Sequence, residues 1–188
     1  MTLTIARLNA ASADDATAML DGLYEHSPWI AAAAITQRPF SGRPHLARAL
    51  VDATRAGGRD AQLALLRAHP RLAGKAMVAG TLTAESTDEQ TRSGLTQCSP
   101  AEFERLHALN DAYDQRFGWP FILAVRGPTG QGLTRGEIIA TFERRVLAEP
   151  EAEFEECLRN VHRIAEIRLA DRFASDEGSG ISSNRADP

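Results

Sequence analysis

"SPAEFERLHALNDAYDQRFG", residues 99 to 118, sets the fold class. Ser99 and Glu102 have the spacing of a capping box, in which each side chain binds the backbone N–H of the other. Pro100 falls at the first helical position, where a missing N–H costs nothing. Phe103, Leu106, Asn110, Tyr113 and Phe117 then recur at steps of three and four, the stripe of a helix with one buried face. Gly118 ends it, because glycine enters the left-handed conformation of a helix C-terminus without strain.

The same signals recur on both sides of this helix. Ser12 caps a helix expected to run to about Leu23. Ser27 and Pro28 open another through "SPWIAAAAITQ". A helix from about Pro44 to Ala56 stops at Gly57-Gly58, and another covers Asp60 to Ala68. Thr134 and Glu137 form a second capping box ahead of "IIATFERRVL". The last helix runs from about Pro150 to Arg172, with Phe154, Leu158, Val161, Ala165 and Arg168 on one stripe. Only "FILAV", residues 121 to 125, reads as extended. A lone short strand has nothing to pair with, and the alternative is a buried irregular connection. The expected class is all-α: one compact domain of about eight helices over residues 1–174, with no significant sheet. From about Ser175 the chain is Ser, Gly, Asp and Asn with little to bury, so residues 175–188 are expected to be a disordered tail.

Hydrophobic residues make up 43% of the 188 and charged residues 24%, which is a globular composition with enough apolar matter for a core. The net charge is −4 with both signs interspersed, and Lys75 is the single lysine, so a nucleic-acid surface is not expected. No apolar run approaches membrane-spanning length. Cys98 and Cys157 have no metal-like spacing, and two cysteines without a disulfide framework suit a reducing compartment. The N-terminus lacks a secretory pattern. A cytoplasmic protein is expected.

Nucleotide-binding, nucleophile-elbow and zinc-protease motifs are missing. His26, His45, His107 and His162 are scattered, and none has metal-ligand spacing, so no metal is expected. The fifth histidine is different. In "LLRAHPRLAGKA", residues 65 to 76, Pro70 disfavours helical geometry at His69. His69 therefore falls just past a helix C-terminus, where the dipole favours its protonated form. That is an address for a general acid or base, and equally for an ordinary cap. In "ESTDEQ", residues 85 to 90, Ser86 and Glu89 make a capping box that needs no function. The same helix start would offer N–H groups to an anion, and Glu89 and Gln90 could read a ligand's N–H and C=O groups. Asn110 interrupts an apolar stripe and must be hydrogen-bonded if buried, most simply by tying two helices together. Arg168 lies on an apolar face, where it must pair with a carboxylate, reach solvent or meet an anionic ligand. Arg126 is a second candidate cation.

Taken together, "LYEHSPWIA", "QLALLRAHPRLAGKA", "LTAESTDEQTRSGL", "FERLHALNDAYDQRFGWPFILAVRG", "IIATFERRV" and "VHRIAEIRLAD" occur in an order that resembles the 2-oxo-4-hydroxy-4-carboxy-5-ureidoimidazoline (OHCU) decarboxylases, which act between urate and allantoin. The matching segments span roughly residues 18 to 172. The resemblance implies that His69 is catalytic, with Glu89 polarising it or gripping substrate N–H groups. It implies that Pro70, Ser86, Gln90, the backbone of Phe121, Ile122, Leu123, Ala124 and Val125, and Arg168 bind substrate. Arg71 stands where the family commonly has an acidic residue, and Trp119 where it has another ring. The tail lacks the peroxisomal "SKL" ending of some relatives.

The reaction so implied removes CO2 from a carbon next to a C=N group. That group can take up the electron pair, so no pyridoxal, thiamine or metal cofactor is needed in principle. The expected partner is a small ureide substrate, and the resemblance suggests a homodimer. The rival expectations are a non-catalytic helical binding module and a related ureide enzyme with a shifted substrate.

Overall fold

The computed structural model describes residues 3–72, 98–126 and 132–173. Within them it is all-α, with eight α-helices and no strand beyond an isolated bridge between Leu3 and Phe173. They are α1 (Ile5–Ala10), α2 (Ala13–Met19), α3 (Pro28–Ala34), α4 (Arg43–Ala56), α5 (Gly58–Arg67), α6 (Pro100–Phe117), α7 (Arg135–Arg145) and α8 (Pro150–Arg172). A single 3-10 turn, Ile35–Gln37, follows α3. The segment from Ala73 to Gln97, with Ser86, Glu89 and Gln90, lies outside the described residues, as does the expected disordered tail.

Of the three expected capping boxes, the two within the described residues form: Ser99 Oγ accepts from the Glu102 N–H, and Thr134 Oγ1 from the Glu137 N–H; that of Ser86 and Glu89 lies outside them. Gly118 takes φ 75° and closes α6. Helix α5 begins at Gly58 rather than Asp60 and α3 gives way to the 3-10 turn after Ala34, and the N-terminal end departs further from expectation. The six-residue α1 was not expected; Thr4 caps it through the Arg7 N–H. Helix α2 stops at Met19 rather than near Leu23, because Gly22 turns the chain with φ 74°. That turn carries Leu23, Tyr24 and Glu25 inward as loop residues.

Helix α8 organises the molecule. Its 23 residues span about 34 Å, and it packs on α4 and α5. Phe154, Leu158, Val161, Ala165 and Arg168 are all buried, as their spacing predicts. Its last residues meet the start of the chain, where the Leu3 N–H donates to the Arg172 carbonyl at 3.1 Å.

Beside α8, "FILAV" is a buried irregular connection rather than a strand. Side chains hold it where a neighbouring strand otherwise would. The Arg145 Nη1 donates to the Ile122 carbonyl at 2.8 Å, and the Ala124 N–H donates to Asn160 Oδ1 at 3.0 Å. Phe121 stacks on Phe142 with centroids 3.8 Å apart and meets Tyr113 edge-on. Arg145 itself is wholly buried against Glu153, with Nη2 2.5 Å from Oε1. Tyr113 also donates to this carboxylate, and burial pushes the neighbouring Cys157 thiol up to about 11.

Candidate active site

His69 lies two residues beyond α5, and its own backbone N–H closes the last turn on the Leu66 carbonyl at 3.2 Å. Its Nδ1 is 3.0 Å from the Leu65 carbonyl. A carbonyl oxygen can only accept, so Nδ1 carries the hydrogen, and in the neutral ring Nε2 keeps its lone pair. The dipole at this helix end favours imidazolium, as the sequence suggests, and the Leu65 bond acts in the same direction. Desolvation outweighs both, and the imidazole is held below its ordinary value. The net shift favours the neutral ring, against the direction in which the helix end acts.

The chain after His69 is clamped to α6. Asn110 Nδ2 donates to the Leu72 carbonyl at 2.9 Å and to Leu106 at 3.0 Å. Arg71 bridges Asp114 at 2.8 Å and Asp111 at 2.9 Å. Asn110 thus ties a helix to a loop rather than to a second helix. Pro70, half-buried, lies immediately before these anchors.

Arg168 reaches the same corner from α8. Its Nη1 lies 2.9 Å from Glu25 Oε2 and donates to the Gly22 carbonyl at 3.0 Å. Of the three fates open to it from sequence, pairing with a carboxylate is the one realised. Both Arg168 and Glu25 exert their charge on the His69 ring, Glu25 favouring its proton and Arg168 opposing it. Arg126 pairs with Asp171 at 2.7 Å on the exposed side of α8.

Phe121, Ile122, Ala124 and Val125 are buried, and Leu123 is half-buried. No hydrogen bond among the described residues joins this segment to His69. What connects them is α8, on which Asn160, holding Ala124, stands about 12 Å along the axis from Arg168.

A family profile described as OHCU decarboxylase matches residues 9–170. The chain belongs to the OHCU decarboxylase family. A 2-oxo-4-hydroxy-4-carboxy-5-ureidoimidazoline decarboxylase of Haloferax volcanii is 38% identical over 93% of this chain and 98% of its own. The enzyme of that name from Mus musculus is 36% identical, over 94% of this chain and 97% of its own. The crystal structure of an (S)-allantoin synthase superposes with a TM-score of 0.73 at 30% identity, covering 92% of this chain and 54% of that one.

Of the residues that the family resemblance singles out, the fold brings His69 and Arg168 to one corner and holds Phe121–Val125 along the helix that carries Arg168. Glu89, Ser86 and Gln90 fall outside the described residues. Glu25 was missed. It sits inside the "LYEHSPWIA" segment, where a carboxylate after the apolar pair Leu23-Tyr24 was the available signal. Arg145 was missed as well, since "FERRV" reads as an ordinary basic helix end. No helix among the described residues is long and apolar enough to cross a membrane.

Proposed function

We propose that this chain catalyses the loss of CO2 from 2-oxo-4-hydroxy-4-carboxy-5-ureidoimidazoline to give (S)-allantoin, with His69 as the proton-transfer residue. Family membership and the names of full-length relatives support the reaction. One observation carries the role of His69: its Nδ1–H is committed to the Leu65 carbonyl, and burial lowers its proton affinity. Nε2 is thereby a base aimed by the fold.

The substrate bears a carboxylate and a hydroxyl on one ring carbon, beside the C=N carbon that carries the ureido group. When the bond to CO2 breaks, its electron pair forms a C=C bond to that neighbour, and the former C=N nitrogen takes a proton from solvent. The hydroxyl of the resulting enol gives its proton to His69 Nε2 and becomes C=O. The C=C pair then takes a proton at the ureido carbon, from the imidazolium and on one face, giving the S form. One solvent proton is consumed for each CO2 released. Arg168 holds the substrate carboxylate out of the ring plane, Pro70 keeps the imidazole aimed, and the backbone of Phe121–Val125 with Ser86 and Gln90 orients the ring and ureido group. Glu89 polarises His69 or binds substrate N–H groups. Proton transfer by a positioned residue contributes about 10²–10⁴-fold, and orientation contributes beyond that.

The test generates the unstable substrate by oxidising urate and hydrolysing the hydroxyisourate formed, then follows circular dichroism. Wild type should form one allantoin enantiomer rapidly. His69→Ala should stay folded and slow turnover by about 10²–10⁴-fold. Most of the activity surviving in His69→Ala removes it from the chemistry. Slow racemic product from the wild type indicates a binding module instead. We also propose a cytoplasmic homodimer, in keeping with the free thiols of Cys98 and Cys157; light scattering at the mass of one chain would contradict the dimer.

A further inference from the structure

Glu25 is only 2% exposed, although it lies in the loop between α2 and α3. The next residue, His26, takes φ 46°, a left-handed conformation that a residue with a side chain rarely adopts. The twist leaves the Glu25 carboxylate inward, His26 outward and Ser27 at the mouth of α3. Such backbone persists where the surrounding structure requires it. What Glu25 meets inside is Arg168, 4% exposed and 143 residues away in sequence, at 2.9 Å. A buried ion pair stabilises a fold poorly, because an apolar pair of the same volume often does as well or better. Stability alone is thus a weak reason for this pair. Its place is a better one: Glu25 and His26 from the α2–α3 loop, Arg168 from α8 and the Leu65 carbonyl from α5 are the groups acting on the His69 ring among the described residues.

We infer that Glu25 is a positioning residue of the decarboxylation site, fixing the Arg168 guanidinium beside His69 so that the cation presents one orientation to the substrate carboxylate. With Nη1 engaged by both Glu25 and the Gly22 carbonyl, the planar fork cannot rotate. The inference rests on the roles proposed above for His69 and Arg168, and it adds a carboxylate that never touches substrate.

The test uses the full chain and three variants. Glu25→Gln keeps an acceptor for Nη1 but removes the charge. Glu25→Asp keeps the charge but shortens the reach. Glu25→Ala removes both. Turnover is followed against pH, and the His69 imidazole is titrated by NMR, which needs no turnover. In Glu25→Gln the His69 titration and the acid limb of kcat/KM should both move to lower pH, since the anion that supports imidazolium is gone. In Glu25→Asp the titration should stay in place while KM rises. In Glu25→Ala, kcat/KM should fall roughly 10- to 100-fold, the loss expected of a misplaced binding group. Wild-type KM in Glu25→Asp, or an unmoved His69 titration in Glu25→Gln, overturns the inference. Failure of the His69 assignment shows elsewhere, as activity surviving in His69→Ala.

Discussion

The imidazole of His69 is pinned at one nitrogen, and that nitrogen fixes which tautomer the ring can be. Nδ1–H points at the Leu65 carbonyl, 3.0 Å away, leaving Nε2 as the proton acceptor. Burial lowers the ring's proton affinity more than the Leu65 bond and Glu25 raise it, and Arg168 and His26 lower it further. The sign for catalysis follows: a base whose affinity is depressed stays unprotonated to lower pH. The acid limb of kcat/KM should therefore fall below the ordinary imidazole value of about 6.5. A pH profile measured on wild type checks this, and a limb above that value would contradict the neutral resting state.

Single side chains do this work only because helices and loops are tied together around them. Asn110 on α6 holds the Leu72 carbonyl, and Arg71 grips Asp111 and Asp114 on the same helix, so the chain leaving Pro70 cannot drift. Asn110→Ala leaves a buried carbonyl without its donor, at a cost of about 1–3 kcal/mol. Denaturant melts should show that loss, and KM should rise as His69 loses its support. A second joint links α8 to the α2–α3 loop, where Tyr24 Oη lies 2.9 Å from His162 Nδ1. Desolvation, helped by the Arg55 charge, lowers His162 from 6.5 to about 4. The unfolded chain thus binds a proton across that window that the folded chain does not. Stability should be fully present above pH 6.5 and be lost as pH falls towards 4. Melting temperature against pH should show the decline, and His162→Asn should flatten it.

Across the whole molecule, one buried charge cluster sets the position of the Phe121–Val125 segment, for which a substrate-binding role is proposed above. Arg145 joins the Ile122 carbonyl, the Glu153 carboxylate and the Phe121 ring, whose centroid is 4.6 Å from the guanidinium carbon. Replacing Arg145 with Met strands Glu153 as an unpaired buried anion, a loss of about 3–5 kcal/mol. The double replacement Arg145→Met with Glu153→Met should recover much of that stability in thermal melts. Activity should not return with it, because the Ile122 carbonyl still lacks its donor. Recovery of both together would mean that the cluster serves packing alone.

Helices were legible in the sequence because their signals are local. Ser99 with Glu102 and Thr134 with Glu137 are three residues apart, and the stripe from Phe154 to Arg168 repeats within a turn, so no distant residue was needed to read them. The His69-Pro70 pair was legible for the same reason, through backbone geometry and the order of motifs around it. The lowered proton affinity of His69 was not, since the helix end acts in the opposite direction and burial is decided only by the packed structure, with charges on Glu25 and Arg168 from far along the chain acting on the same ring. Nor was the pairing of Arg168 with Glu25, or of Arg145 with the Ile122 carbonyl, where partners stand 143 and 23 residues apart. Local backbone preference is written in neighbouring residues. Burial, and the charge pairing that burial demands, exist only once the helices have packed.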